Sequence, residues 1–226
     1  DCLGCTLDPR KEDNLGKGGG TVWANAGITQ FHLSEGDHAQ VIDGIVSLAY
    51  AELEPVRERL VCAPDCLQGT KFAWEDAPAG DILVTDAWGT RFRLHLDPDA
   101  RDARGEQPGK RTLPCGITDI ALNVHSECNL EAIARFYESV LGCQVASLDE
   151  GAVSLYTGSS KQTLTFARAP HLAAHEEVSL DEEGRSMNNG VHLSFYVADL
   201  PRAYAAADAL GATYVNHRFK RRAYTL

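Results

Sequence analysis

The sequence lacks any apolar run long enough to cross a membrane. A spanning helix needs about 18 or more consecutive apolar residues, and because no stretch approaches that length we expect no membrane insertion. Positive charge is also scarce: 21 lysines and arginines stand against 32 aspartates and glutamates, which gives a net charge of −11. This excess disfavours binding to nucleic acid. The sequence predicts an acidic, soluble protein and leaves its compartment open between the cytoplasm and an organelle matrix or stroma.

The cysteines do not indicate a disulfide framework. Their number, seven, is odd, and a chain of this length can fold without disulfides. Cys2 and Cys5 form a CxxC pair and Cys62 and Cys66 a CxxxC pair, and zinc sites use such spacings. Cys5 corresponds, in the repeat described next, to Cys143, which has no such neighbour. We therefore interpret it as a small hydrophobic residue, and a Cys62–Cys66 disulfide stays open for an oxidising compartment.

A Leu-Gly pair that leads into a strand-like stretch occurs three times. The copies are "LGCTLDPR" at Leu3, "LGCQVASLDEG" at Leu141 and "LGATYVNHRF" at Leu210. An amphipathic helix precedes the second copy: Asn129 is a suitable N-cap, apolar residues recur on one face, and Gly142 can adopt the left-handed stop. Such self-similarity indicates a repeated structural unit. The Leu-Gly pair therefore marks the end of a helix and the start of the next strand.

The repeated unit is predicted to be one strand, one helix and three further strands. We expect the last three strands of a first unit over residues 3–33 and two whole units over residues 41–96 and 117–169. A fourth, incomplete unit is expected over residues 191–226. Residues 97–116 are charged and contain Pro and Gly, which is typical of a linker. The predicted organisation is thus two halves, residues 1–96 and 117–226.

These units resemble those of the vicinal oxygen chelate superfamily, which includes glyoxalase I, bleomycin resistance proteins and extradiol dioxygenases. The resemblance is carried by "ITDIALNV" and "FYESVLG" in the third unit and by "GTRFRLHL" at the end of the second. It implies an α+β, glyoxalase-like fold in which tandem βαβββ modules form curved mixed sheets around a cavity, with the first and last modules incomplete. It also implies a divalent metal (Fe, Mn, Zn or Ni) that chelates the substrate and stabilises charge on its oxygens.

Few of the positions that the resemblance assigns to metal ligands carry suitable side chains. On the first strand of each unit they fall on Ile45, Asp119 and His192, and on the last strand on Gln30, Arg93 and Thr163. His192 and Asp119 are the candidate ligands. Asp119 could equally act as a general base or cap the start of its strand, and His192 could be a hydrogen-bonded structural residue. Arg93 opposes a dication at close range, so we expect the first-half site to be lost and no resident cofactor.

The remaining positions are expected to line the cavity. A register shift of two residues keeps the side-chain face and would bring in His32, His95 or Thr165. The predicted cavity-lining residues are Gln30, His32, Arg93, His95 and Thr163. Gln30 and His32 share one face of a strand, where a cross-strand polar pair is the alternative.

Two functions stay open, and whether the protein is an enzyme stays open with them. The first is a glyoxalase-fold protein with a largely degenerate metal site, which acts as a small-molecule binder or as a structural or assembly subunit. The second is a divalent-metal-dependent lyase, isomerase or dioxygenase with a site around Asp119 and His192. Incomplete modules leave sheet edges that readily pair with other strands. Either the natural chain is longer, or the terminal pieces complete each other within the chain, or a second copy or a protein partner completes them.

Overall fold

The computed structural model describes residues 1–17, 20–36, 39–100, 111–158, 162–172, 191–194 and 196–213 of the 226. The described chain forms two compact units, and its described residues change from one unit to the other between Asn123 and Val124 and again between Val191 and His192. Each unit is described by itself below.

The first unit opens with a small antiparallel sheet in the order β1-β2-β3. Its strands are β1 (Thr6–Leu7), β2 (Thr21–Ala26) and β3 (Thr29–Ser34), and a 3-10 helix, Glu12–Asn14, lies between the first two. Gly27, at the β2–β3 turn, has a φ of +56°, a conformation that costs glycine little. This turn joins β2 and β3 as antiparallel neighbours.

A larger mixed sheet follows in the same unit. Its elements are β4 (Gly44–Tyr50), α1 (Glu54–Val61), a 3-10 helix (Asp65–Leu67), β5 (Ala73–Asp76), β6 (Ile82–Thr85), β7 (Arg91–Leu96) and β8 (Pro114–His125). The strand order is β5-β6-β7-β4-β8. β4 runs parallel to β7 and antiparallel to β8. The first strand of this module thus pairs with its last strand, and α1 makes the crossover that a parallel pair needs.

One face of this sheet packs against α1 and forms the core. Leu48 and Tyr50 of β4 point to this face, and they cluster with Val56 and Leu60 of α1 and Leu94 of β7. Each of these side chains is 0% or 1% exposed, and burying one contributes about 1.5–3 kcal/mol. Because side chains alternate along a strand, the residues between them lie on the opposite face, which no helix of this module covers.

The second unit repeats the order of helix and three strands. Its elements are α2 (Leu130–Phe136), a π-helical turn (Tyr137–Leu141), β9 (Gln144–Leu148), β10 (Ala152–Tyr156), β11 (Thr163–Ala169) and α3 (Leu200–Ala209). Strands β9, β10 and β11 are antiparallel neighbours. Val153 and Leu155 of β10 pack against Leu130 and Ala134 of α2.

The predicted helix limits of the second unit are confirmed. The Asn129 side chain accepts a hydrogen bond from the Ala132 amide at 2.9 Å. Gly142 ends the helix with a φ of +73°, and β9 begins two residues later. Asp199 caps α3 through the Arg202 amide at 3.0 Å. The α+β, glyoxalase-like fold class is therefore confirmed, since β-α-β-β-β occurs twice in succession.

The predicted opening strand of the last unit is not observed in the described residues. Residues 191–194 contain neither helix nor strand. A strand exists only where a neighbouring strand supplies hydrogen bonds, and the rest of the predicted unit beyond Thr213 lies outside the described residues.

Two further features concern the chain as a whole. Over its described residues, no helix is both long enough and apolar enough to cross a membrane. The seven cysteines all lie in the described part of the chain, and none of them, Cys62 and Cys66 included, forms a disulfide there.

Candidate functional site

The candidate site is the face of the first unit's large sheet that lies opposite α1. We call it the helix-free face, and define it as Ile45, Ser47, Ala49, Arg91, Arg93, His95, Thr118 and Asp119. The alternation of β7 positions its part of this face. Phe92 and Leu94 pack into the core, so Arg91, Arg93 and His95 lie on the other side of the strand.

Strand register brings three of these residues side by side. Ser47 of β4 is paired with Arg93 of β7 and with Asp119 of β8. The β4–β8 ladder shifts register next to Ser47, and such a bulge turns two successive residues toward one side. Thr118 and Asp119 therefore both belong to the helix-free face, with Ser47 at its centre.

The guanidinium of Arg93 is anchored by a buried carboxylate. Its Nε donates to Oδ2 of Asp81 at 2.6 Å, and the side chains are 51% and 12% exposed, respectively. Asp81 immediately precedes β6, and Leu83 of β6 is the cross-strand partner of Arg93. The pair therefore spans the β6–β7 hairpin diagonally. A charge-assisted hydrogen bond of this length holds the guanidinium on the sheet.

His95 is held through Thr118. Its Nε2 lies 2.8 Å from Oγ1 of Thr118, and the same hydroxyl donates to the Ser47 carbonyl oxygen at 3.3 Å. A hydroxyl has only one proton, so Thr118 accepts from His95, and Nε2 carries the hydrogen. With this assignment of the hydrogens, the lone pair of the His95 ring lies on Nδ1.

The donor atoms of this face do not fit the divalent metal that the resemblance implies. A catalytic metal site uses about three protein ligands. At the predicted positions Ile45 has no donor atom, Arg93 brings a positive charge, and Asp119 supplies one carboxylate. In the described part of the chain, no three His, Cys, Asp or Glu side chains come together as a metal-binding group.

Gln30 and His32 lie on β3, in the small sheet. Gln30 Nε2 donates to Asn25 Oδ1 at 2.7 Å and to Asp8 Oδ2 at 3.0 Å, and its Oε1 lies 2.8 Å from His32 Nε2. Asn25 and Gln30 are direct cross-strand partners. Three of the four hydrogen-bonding positions of the Gln30 amide are therefore used inside this sheet.

Aromatic and cationic groups surround the same cluster. The His32 ring stacks on Trp23 with centroids 4.7 Å apart and an interplanar angle of 13°. Arg10 and Lys11 lie 4.8 and 5.1 Å from the centre of the Trp23 ring, within the range of cation–π attraction. The hydrogen bonds that the Arg10 side chain and amide donate to Asp8 hold the pKa of that carboxyl well below its usual value.

The second unit places hydroxyl groups where the resemblance predicts ligands. Thr163 pairs with Tyr156 across β10–β11. Oγ1 of Thr165 lies 2.8 Å from Oγ of Ser154. His192 is exposed and stands outside any helix or strand. Asp119 belongs to the first unit and His192 to the second.

A separate cavity of about 480 Å³ lies in the second unit, between the π-helical turn, the β9–β10 strands and the start of α3. Its lining includes Cys143, Tyr156, Tyr196 and Arg202. Burial raises the pKa of the Cys143 thiol, which keeps this thiol protonated and poorly nucleophilic. None of the residues predicted to line a cavity is among those around this one.

Three residues that organise the helix-free face were not predicted from the sequence: Ser47, Asp81 and Thr118. Asp81 could have been found from the hairpin "DILVTDAWGTRFRLHL", because a register that places Leu83 opposite Arg93 puts Asp81 on the same face, two residues away. Thr118 could not, because it reaches this face only through the bulge in β8, for which a single sequence carries no signal.

Comparison with known proteins gives one family match and several similar solved structures. Residues 122–226 match the model of the glyoxalase-like domain family. Among solved structures, the chain is similar to a putative dioxygenase from Bacillus subtilis, with 13% identity, coverage of 76% of this chain and 58% of that one, and a TM-score of 0.48. It is also similar to glyoxalase I from Zea mays, with 16% identity, coverage of 76% of this chain and 61% of that one, and a TM-score of 0.43. A third similar structure is the Mn(II)-bound glyoxalase from Novosphingobium aromaticivorans, with 17% identity, coverage of 74% of this chain and 55% of that one, and a TM-score of 0.32.

The chain spans only 58% and 61% of the length of the first two of these structures. None of the curated proteins matches it. The two successive βαβββ element orders give an α+β, glyoxalase-like fold, and the family match covers residues 122–226. This is the fold that the resemblance of the "ITDIALNV" and "FYESVLG" segments implies.

Proposed function

We propose that this protein binds a small molecule on the helix-free face without a resident divalent metal. The observation that carries the proposal is Arg93, which stands at a predicted ligand position with its guanidinium fixed by Asp81 at 2.6 Å. A fixed positive charge there repels a dication and attracts an anionic or hydrogen-bond-accepting ligand instead. The same loss of ligands also suits a structural or assembly subunit, which would use the fold without the chemistry.

Metal analysis of the purified protein tests the proposal. The protein is incubated with Mn²⁺, Fe²⁺, Zn²⁺ or Ni²⁺, dialysed, and its metal content is measured by mass spectrometry. We expect less than stoichiometric metal, unchanged by Asp119→Ala or His192→Ala. One ion per chain that disappears in either variant would overturn the proposal, because those two residues are the only predicted ligands of suitable type.

The alternative is a metal-dependent lyase, isomerase or dioxygenase. It is favoured by one feature of the helix-free face: His95 on β7 and Asp119 on β8 are both ligand-type residues and flank the same strand, β4. Nδ1 of His95 has the lone pair that a metal requires. This function needs a third ligand and therefore predicts metal binding that depends on His95 as well as on Asp119.

A further inference from the structure

The guanidinium groups of Arg91 and Arg93 share one face of β7. Two residues apart on a strand, their Cα atoms are separated by about 6.6 Å. Both side chains are exposed. A ligand above the sheet could therefore touch both groups at once.

Each of the two arginines is fixed by a hydrogen bond from its Nε atom, which leaves its Nη1 and Nη2 atoms available to a ligand. Nε of Arg93 donates to Asp81 at 2.6 Å, and Nε of Arg91 donates to the Gly44 carbonyl oxygen at 3.3 Å. Within the described part of the chain these are the only hydrogen bonds of the two side chains, so the Nη1 and Nη2 atoms of each have none. A guanidinium tied at Nε has lost part of its rotational freedom before a ligand arrives, which lowers the entropic cost of binding.

The charges around the pair favour a ligand with one negative charge. Asp81 compensates part of the charge of Arg93, and Asp119 adds a carboxylate to the same face. A dianion or polyanion would meet those two carboxylates, and the whole chain carries −11. A planar carboxylate, in contrast, matches the paired N–H groups of a guanidinium in two parallel hydrogen bonds.

We propose that Arg91 and Arg93 together bind the carboxylate group of a small organic ligand, as its anchor. This proposal rests on the proposed function and specifies the chemical class of its ligand. The Nη groups bind the carboxylate, and His95 and Thr118, the next polar groups on the face, contact the body of the ligand.

Side-chain NMR of the two arginines tests this anchor. The probe is benzoate; benzamide is the neutral isostere and inorganic phosphate the competing oxyanion. We expect saturable benzoate-induced shifts of the Arg91 and Arg93 Nε–Hε signals, little response to benzamide, and weaker binding of phosphate. Arg91→Gln and Arg93→Gln should each weaken benzoate binding about tenfold, which corresponds to about 1.4 kcal/mol. Arg135→Gln, in the second unit, is the matched control and should change nothing.

Several outcomes would overturn the anchor: no benzoate response, an equal response to benzamide, preferential binding of phosphate, or an equal loss in Arg135→Gln. If Arg93→Gln fails to fold, Arg91→Gln and the wild-type titrations decide. Metal content is measured on the same samples. A metal-free protein that ignores benzoate refutes the anchor and leaves the proposed function standing, whereas stoichiometric metal together with arginine-dependent benzoate binding refutes the proposed function and keeps the anchor.

Discussion

Arg93 and Asp81 form an ion pair at 2.6 Å across the β6–β7 hairpin, with the carboxylate largely buried and the guanidinium half exposed. Because solvent screens the exposed partner, the coupling free energy is expected to be about 1 kcal/mol, near the upper end for surface pairs. A double-mutant cycle with Asp81→Asn and Arg93→Gln, followed by urea unfolding, measures it. The control cycle is Glu131–Arg135, an exposed i,i+4 pair at 3.4 Å, for which about 0.3–0.5 kcal/mol is expected. Equal coupling in both cycles would contradict the anchoring role of Asp81.

The β2–β3 turn packs against β8 so closely that only glycine fits at position 27. A Cβ there would lie 1.8 Å from the carbonyl oxygen of Cys115, and φ is +56°. Gly27→Ala should therefore lower the free energy of unfolding by more than about 3 kcal/mol, a loss reserved for severe defects. Gly16 has a similar φ of +74° with nothing within 4 Å, so Gly16→Ala, the matched control, should cost only about 1 kcal/mol.

Thermal unfolding and soluble yield compare the two glycine variants. If Gly27→Ala does not fold, Thr112→Val tests the same contact, because the Thr112 hydroxyl accepts a buried hydrogen bond from the Gly27 amide at 2.9 Å. Its loss should cost about 1–3 kcal/mol. Equal stability of the two glycine variants would show that the turn does not pack on β8.

Asp8 should make the melting temperature of the protein depend on pH in the acidic range. Hydrogen bonds from the Arg10 side chain and then its amide lower the pKa of Asp8 in the folded state below the usual 3.8. A carboxyl with a depressed folded pKa stabilises the protein above its unfolded pKa and loses that contribution as the pH falls. Asp8→Asn should therefore flatten the decline of melting temperature below about pH 4. Asp13→Asn, on the exposed 3-10 helix, is the control and should leave the profile unchanged; an unchanged profile for Asp8→Asn would refute the role of Asp8.

The seven thiols should react in an order set by burial. Cys62 and Cys66 are exposed and Cys115 is buried, while burial raises the pKa of Cys143. Because the thiolate is the reactive form, a brief iodoacetamide pulse at slightly alkaline pH should label Cys62 and Cys66 first. Peptide mass spectrometry gives the rate at each site, and denatured protein supplies the reference rates. Early labelling of Cys143 would contradict its placement beside the cavity of the second unit.

Local patterns in the sequence predict most of the elements, because each rests on physics within a few residues. The cap at Asn129 and the left-handed stop at Gly142 define a helix, and alternation in "GTRFRLHL" places Arg93 and His95 together on one side of a strand. The division into halves 1–96 and 117–226 stays a prediction, since pairing between strands depends on contacts far apart in sequence. The β4–β8 ladder shows this: Asp119 lies beside Ser47, a neighbour about 70 positions away that no local pattern indicates.

The candidate site is less predictable than the fold for the same reason. Arg93 and Asp119 could be named from their position on a strand, but their partners Asp81, Ser47 and Thr118 depend on hairpin register and on a bulge. The role of Gln30 likewise depends on Asp8 and Asn25, which approach it from two other strands or their ends.

The buried hydroxyl of Tyr50 donates to the carbonyl oxygen of Leu3 at 2.9 Å, and the Leu113 amide donates to that of Gly4 at 3.0 Å. Burial raises the pKa of Tyr50, so the phenol keeps its proton and this link persists in strongly alkaline solution. Two hydrogen bonds from separate parts of the chain therefore hold the segment of residues 1–5 against the hydrophobic core. Removing residues 1–5 would therefore take away both acceptor groups and leave the Tyr50 phenol buried without this hydrogen bond.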